Sequence, residues 1–205
     1  MTGTQIADVS VSRETLDRLE TFADLLKKWT QRINLVAPAT IPALWKRHII
    51  DSAQLFSHAP RNACSWVDLG SGGGLPGIVC ASLANEHMPD CCFTLIESDN
   101  RKSAFLMTAA RTLSLPVKVL PNRAEAVPPQ GADIVSARAL APLTQLLPLV
   151  ERHLAENGVA LLPKGKNHAQ ELAAVHQEWH FDLASHPSLT DPLARLLVIK
   201  GIRRA

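Results

Sequence analysis

At 205 residues the chain is long enough for one domain with a sizeable core and too short for two of ordinary size. Its 46% hydrophobic and 20% charged residues exclude a disordered polar chain and match a soluble globular protein. A formal net charge of +2 neither demands nor excludes a nucleic-acid partner, so local motifs have to decide.

Met1 to Ser10 is polar and lacks the apolar stretch of a signal peptide, and no apolar run approaches a membrane span. The four cysteines, Cys64, Cys80, Cys91 and Cys92, lie in or beside apolar segments. Adjacent Cys91 and Cys92 would point to opposite strand faces, which suits reduced core thiols better than a disulfide framework. The expected location is cytoplasmic.

Residues 12 to 33 read as an amphipathic helix, with Leu16, Leu19, Phe22, Leu26, Trp29 and Ile33 at helical spacing. Lys27, Lys28 and Arg32 at its end suit the helix dipole, and equally a phosphate-contacting surface. A second helix is predicted from Pro42 to Phe56, with Leu44, Ile49 and Leu55 inward and Arg47 paired to Asp51 four residues on. Residues 1–60 thus read as an N-terminal helical extension, and 61–205 as the main domain.

The stretch Val67 to Gly77 follows a short apolar strand at Ser65-Trp66-Val67 and precedes an apolar helix from Ile78 to Leu83. Glycine accepts positive φ in such a turn and lets a ligand approach the backbone. Gly72-Gly73-Gly74-Leu75-Pro76-Gly77 satisfies the G-x-G-x-x-G pattern of dinucleotide folds, a weak signal by itself. Asp68-Leu69-Gly70-Ser71-Gly72-Gly73-Gly74 resembles the first motif of S-adenosylmethionine-dependent methyltransferases with a Rossmann-like fold. The acid separates the two readings. A carboxylate beside a pyrophosphate repels it, whereas S-adenosylmethionine carries a sulfonium and an ammonium.

A second strand, Cys91 to Glu97, ends in an acid about 20 residues past the glycines, where a carboxylate meets ribose hydroxyls; Glu97 also suits an acid capping the helix from Arg101 to Leu113. Pro116 to Leu120 makes a third strand, followed by Ala124 and Glu125 where a Rossmann-like fold places its adenine-contacting loop. Ala132 to Ala139 is a fourth strand, Leu143 to Leu154 a helix, and Val159 to Leu162 a fifth strand ending in Pro163-Lys164-Gly165. A helix near His168 to Trp179 precedes extended segments at His180 to Ala184 and Arg195 to Ile202, read as a terminal hairpin. The fold class is therefore α/β, a mostly parallel sheet with helices on both faces and a terminal antiparallel strand.

In open α/β sheets the ligand lies at the carboxyl ends of the strands, which here carry Asp68 and Gly70, Glu97, Ala124 and Glu125, Arg138 and Lys164. Arg138 reads as a ligand contact or a structural ion pair, Lys164 as a substrate contact or a solvated cation. Ser136-Ala137-Arg138-Ala139 lacks the Asp/Asn-Pro-Pro-aromatic sequence of exocyclic-amine methylation. No Pro-Cys pair offers a covalent route to pyrimidine carbon. His176 and His180 are four apart without the order of a metalloprotease helix, so no metal is expected. In-line transfer to an already nucleophilic atom remains, which needs positioning more than a base.

Arg47-His48-Ile49-Ile50-Asp51-Ser52, the loop Asp68 to Gly77 with its Leu75-Pro76-Gly77 ending, Ser136-Ala137-Arg138-Ala139 and Pro163-Lys164-Gly165 together resemble one family. It is the small-subunit ribosomal RNA guanine-N7 methyltransferase G family, also called glucose-inhibited division protein B, and the resemblance runs from about Leu25 to Ile202. It implies that Gly70, Gly72, Gly74, Leu75, Ala124, Glu125 and Arg138 contact S-adenosylmethionine and that Glu97 holds its ribose. It also implies methylation at N7 of one guanine in the decoding region of 16S rRNA, by a protein expected to be a monomer. Arg138 and Lys164 are the candidates for positioning substrate, with Arg47, His48 and the Lys27, Lys28 and Arg32 cluster for phosphate docking. Three rivals remain: a small-molecule methyltransferase of the same fold, a nucleotide-dependent oxidoreductase, and a non-catalytic rRNA-binding assembly factor.

Overall fold

The computed structural model describes residues 4–205; the first three residues of the polar opening stretch lie outside the described residues. The chain begins with a small antiparallel hairpin, β1 (Thr4–Ile6) and β2 (Val9–Val11), turned by Ala7 and Asp8 at positive φ. Its Ile6, Val9 and Val11 are buried, so this opening is anchored rather than merely polar. Helix α1 (Arg13–Thr30) starts where the Ser12 hydroxyl accepts from the Thr15 N–H at 3.2 Å, an N-cap that satisfies an otherwise unpaired donor. Leu19, Phe22 and Leu26 are fully buried on one face, as their spacing predicts.

The expected helix from Pro42 to Phe56 is not one α-helix. A 3-10 segment (Pro38–Ala43) passes into a π-helical turn (Trp45–Ile50), one α-turn, α2 (Asp51–Ala53), and a second 3-10 segment (Gln54–His58). Leu44, Ile49 and Leu55 do face inward. The prolines at 38 and 42 remove backbone donors, and the hydrogen-bonding register changes three times instead of settling.

The main sheet has seven strands: β3 (Ser65–Leu69), β4 (Cys92–Ile96), β5 (Val117–Leu120), β6 (Ala132–Ser136), β7 (Leu154–Lys164), β8 (Trp179–Pro187) and β9 (Arg195–Arg204). Their order is β5-β4-β3-β6-β7-β9-β8. The first five are parallel; β9 runs antiparallel to both β7 and β8, so the terminal hairpin inserts its second strand and leaves its first at the edge. Helices α3 (Gly77–His87), α4 (Asn100–Thr112), α5 (Leu143–His153) and α6 (His168–Val175) supply the crossovers and cover.

Strand alternation divides the core in two. Trp66, Phe93, Leu95 and Ile134 join Leu19, Phe22, Phe56, Ile78 and Phe105 in one cluster. Val67, Leu69, Ile96 and Val135 join Leu143, Leu146, Val150 and Val175 in the other. Helix α3 is buried on every side from Gly77 to Ala84, wedged between the sheet and the N-terminal elements. Burying a side chain such as Phe22 or Leu26 is worth roughly 2–3 kcal/mol each, so α1 is held by packing more than by propensity. All four cysteines are free thiols; Cys80 and Cys91 are buried, but Cys64 and Cys92 are on the surface rather than in the core. Cys91 lies just before β4 and is buried, whereas Cys92 opens the strand and is exposed.

Candidate active site

The strand order reverses between β3 and β6, and at such a switch point the outgoing loops part and leave a crevice at the carboxyl ends. Two cavities open there. The smaller, about 320 Å³, lies over the glycine loop after β3 and is lined by Gly70 to Gly73, Leu75, Glu97, Ser98 and Lys102, with Leu35 from the N-terminal segment. The larger, about 660 Å³, lies between the π-helical turn, the end of β7 and the 188–195 loop. Arg138, Ala139 and Leu140 line both, forming the partition where the two meet.

Backbone geometry makes the smaller cavity. Gly70 and Gly72 have φ of +63° and +52°, in the left-handed region that side chains rarely adopt. A Cβ on Gly72 would meet nothing closer than the Gly70 carbonyl at 3.7 Å, so the space beside it is free for a ligand. Glu97, just past β4, braces the loop: Oε2 accepts from the Gly72 N–H and Oε1 from the Asp99 N–H, both at 2.8 Å. The N-cap of α4 is therefore Asp99, whose carboxylate accepts from Arg101 and Lys102 N–H, and not Glu97. Each Glu97 oxygen keeps a lone pair for a further donor such as a hydroxyl.

Asp68 lies under the loop rather than in the cavity. It is fully buried; Oδ1 accepts from the Ser136 hydroxyl at 2.7 Å, while Oδ2 has no hydrogen-bond partner among the described residues. Burial pushes its carboxyl up to about 6, against the pull of the Ser136 hydroxyl. A buried carboxylate with one oxygen unpartnered among the described residues, beside a glycine cradle, is what a cationic ligand would compensate. The residues present thus fit S-adenosylmethionine: a tight glycine loop, a carboxylate for a diol, and negative potential beneath.

The larger cavity is a network of charges that neutralise one another. Arg138 Nη1 donates to Asp51 Oδ2 at 2.9 Å, and Nη2 donates to His48 Nδ1 at 3.1 Å. Because Arg138 can only donate, His48 Nδ1 is the acceptor; Nε2 then carries the hydrogen and donates to Thr40 Oγ1 at 2.7 Å. Burial, reinforced by Arg138, lowers the His48 pKa to about 4. His48 is neutral at pH 7 with both nitrogens engaged, so it does not serve as a phosphate ligand in this arrangement. Asp51 Oδ1 accepts from Thr190 Oγ1 at 2.6 Å and from Gln54 Nε2 at 3.0 Å, tying the N-terminal segment to the 188–195 loop. The expected Arg47–Asp51 pair does not form. In the π-helical turn residues four apart no longer stack, and Arg47 instead lies 3.8 Å from Asp191.

Lys164 is not solvated. It is 8% exposed, donates to the Ala141 carbonyl at 2.7 Å and pairs with Glu171 Oε2 at 2.8 Å. Among the residues expected to bind cofactor, Gly70, Gly72, Leu75, Glu97 and Arg138 line the smaller cavity. Gly74 (φ +78°) is buried beneath the loop, where a Cβ would press on Ile78 and Phe22. Ala124 and Glu125 line neither cavity; Ala124 is buried, its carbonyl accepting from His153 Nε2 at 2.9 Å, and Glu125 is exposed. Lys27, Lys28 and Arg32 are exposed, and Lys27 pairs with Asp24 at 3.0 Å.

The family described as GidB, rRNA small subunit methyltransferase G, matches residues 15–195. The chain is 53% identical over 194 residues to the Ribosomal RNA small subunit methyltransferase G of Cereibacter sphaeroides (strain ATCC 17025 / ATH 2.4.3), covering 95% of this chain and 93% of that one. It belongs to the rRNA small subunit methyltransferase G family. The namesake of Paracoccus denitrificans (strain Pd 1222) is 52% identical over 198 residues, covering 96% of this chain and all of its own. Solved structures share the fold at low identity: an S-adenosylmethionine-dependent methyltransferase from Aquifex aeolicus has a TM-score of 0.58 at 12% identity, over 86% of this chain and 96% of that one. The M. jannaschii TYW2 structure in complex with AdoMet has a TM-score of 0.57 at 14% identity, over 77% and 76%. The fold is thus the Rossmann-like methyltransferase fold.

Several residues in or beneath the two cavities of this methyltransferase G family chain carry no sequence signal of their own. Ser136 was visible only as part of a strand end, yet its hydroxyl hydrogen-bonds the Asp68 carboxylate. Thr190 and Gln54 are distant in sequence and converge on Asp51, and Gln54 also accepts from the Leu189 N–H. Glu171 sits on α6, an ordinary exposed-looking helix, and its side chain enters the larger cavity.

Proposed function

We propose that this chain transfers a methyl group from S-adenosylmethionine to N7 of one guanine in the decoding region of 16S rRNA, as a cytoplasmic monomer without a metal. The carrying observation is the pair of adjoining cavities, sharing Arg138, Ala139 and Leu140, in a chain of the methyltransferase G family. In this reading residues 61–205 hold the cofactor and residues 1–60 form one wall of the substrate cavity, through Thr40, Arg47, His48, Asp51 and Gln54. No helix is long and apolar enough to cross a membrane, and among the described residues no group of three or more metal-ligating side chains forms.

Bound in the smaller cavity, S-adenosylmethionine supplies an electrophilic methyl group on a sulfonium. Gly70, Gly72 and Leu75 would form its wall, Glu97 would accept from its ribose hydroxyls, and Asp68 would set a negative potential below. Guanine N7 has a lone pair and no proton, so no general base is needed. Rate then comes from holding the base in line with the methyl group. Arg138, fixed on two sides by Asp51 and His48, is a rigid part of the partition across which that alignment is set. A base inside a folded rRNA has to be unstacked to enter the larger cavity. The exposed Lys27, Lys28, Arg32 and Arg47 are the surface for backbone phosphates.

The test is methyl transfer from labelled S-adenosylmethionine to small subunits, naked rRNA and small metabolites in parallel, with the modified nucleoside identified by mass. 7-Methylguanosine in small-subunit RNA is the expected product. Label in a metabolite would replace this reading with a small-molecule methyltransferase, and binding without transfer would leave an assembly factor.

A further inference from the structure

The larger cavity holds three carboxylates, and their oxygens are not equally committed. Both oxygens of Asp51 are engaged, by Arg138 on one side and by Gln54 and Thr190 on the other. Asp191 accepts from the Leu193 N–H through Oδ1, and its Oδ2 faces Arg47. Glu171 differs. Its Oε2 accepts from both Lys164 Nζ (2.8 Å) and the Leu143 N–H (2.9 Å), which fixes the side chain, while Oε1 has no donor among the described residues. Its side chain is 24% exposed and lines the cavity, so Oε1 is a preoriented acceptor facing open space.

Only some bases answer to such an acceptor. When N7 of guanine is turned to the methyl donor, the opposite edge of the base, carrying N1–H and the 2-amino group, points away from it. That edge is made of donors, whereas adenine presents a lone pair at N1 and would be repelled by a carboxylate. We propose that Glu171 Oε1 accepts a hydrogen bond from N1–H of the target guanine, making Glu171 a specificity-determining residue for methyl transfer and Lys164 the residue that positions it. This rests on the proposed guanine-N7 reaction. It adds a rate effect as well: as N7 gains a methyl group the ring becomes cationic and N1–H more acidic. The bond to Glu171 therefore strengthens from ground state to transition state, the kind of interaction that raises kcat.

Glu171→Gln is the discriminating variant. Its carbonyl oxygen takes over the Lys164 and Leu143 donors, and its amide group then faces the cavity as a donor instead of an acceptor. Small-subunit RNA carrying either guanine or 2-aminopurine at the methyl-accepting position, the latter with a lone pair at N1, is assayed with both proteins. The expected result is that the guanine to 2-aminopurine ratio of kcat/KM falls by about tenfold or more in Glu171→Gln, with S-adenosylmethionine affinity unchanged. A merely structural role lowers both substrates by the same factor and would overturn the inference. So would equal use of guanine and 2-aminopurine by the unsubstituted protein, a comparison that needs no variant to fold. Absence of 7-methylguanosine from unmodified RNA would instead remove the underlying reaction, and is read separately.

Discussion

Arg138 and Asp51, 87 residues apart in sequence, form an ion pair at 2.9 Å with side chains only 16% and 18% exposed. The pair joins the loop after β6 to the N-terminal segment directly at the partition between the two cavities. Removing one partner strands the other charge with little water to solvate it. Asp51→Ala is expected to destabilise the protein by about 3 kcal/mol in urea unfolding. It should also reduce methyl transfer more than cofactor affinity, because the Thr190 and Gln54 contacts that shape the larger cavity go with it.

His48 gives a pH dependence whose sign follows from its lowered pKa of about 4, against an ordinary 6.5. The fold favours the neutral ring. That contribution is complete above pH 6.5 and is lost as pH falls from 6.5 toward 4. The stability of the unsubstituted protein relative to His48→Asn should decline over that window and stay level above it, measured by urea unfolding at a series of pH values.

Asp68 acts in the opposite sense. Its folded pKa of about 6 exceeds the ordinary 3.8, so the fold favours the protonated acid. The contribution is present at low pH and is lost as pH rises from about 4 to 6. Relative to Asp68→Asn, the protein should lose stability across that interval and be level above it. Saturating S-adenosylmethionine should lower the Asp68 pKa, a shift readable as proton release in calorimetry performed in buffers of different ionisation enthalpy.

Gly72 in the loop after β3 and Gly77 at the start of α3 should respond differently to alanine. At Gly77 a Cβ would overlap Leu95 and stand 2.8 Å from Asp68 Oδ2, so Gly77→Ala is an overpacking change costing about 2–3 kcal/mol. At Gly72 the added carbon enters space where it meets only the Gly70 carbonyl, at an unstrained 3.7 Å, and the cost is about 1–2 kcal/mol of left-handed backbone strain. Gly72→Ala should nevertheless reduce S-adenosylmethionine affinity the more, since that space is the cavity. Thermal unfolding and calorimetric titration of the two variants check this.

Glu97→Gln removes a charge whose oxygens accept from the Gly72 and Asp99 N–H groups. An amide has one acceptor oxygen, so one of these two N–H groups loses its partner. S-Adenosylmethionine affinity should fall by roughly 10- to 100-fold, the cost of a charge-assisted hydrogen bond and a loosened loop. A fall below about twofold would remove Glu97 from the ribose site.

The sequence by itself determined the strand–loop–helix order, the glycine cradle, Glu97 as an acid at the end of β4 and the terminal antiparallel hairpin. Each is written in local pattern or in residues whose backbone needs are intrinsic: the short apolar run that opens at Ser65-Trp66-Val67, glycine at positive φ, apolar spacing from Leu19 to Leu26. Tertiary structure alone decided the partners of charges. Arg47 and Asp51 are four apart, and local spacing pairs them; the π-helical turn and the approach of β6 give Asp51 to Arg138. Lys164 between Pro163 and Gly165 reads equally as a substrate contact or a solvated cation until α6 brings Glu171 over it. Asp68 reads as a ligand contact until Ser136, 68 residues on, is found holding it under the loop. Hydrogen bonds and ion pairs depend on distances of a few ångströms between strands and loops far apart in the chain. Those distances are fixed only once the sheet has its order and the helices are packed on it.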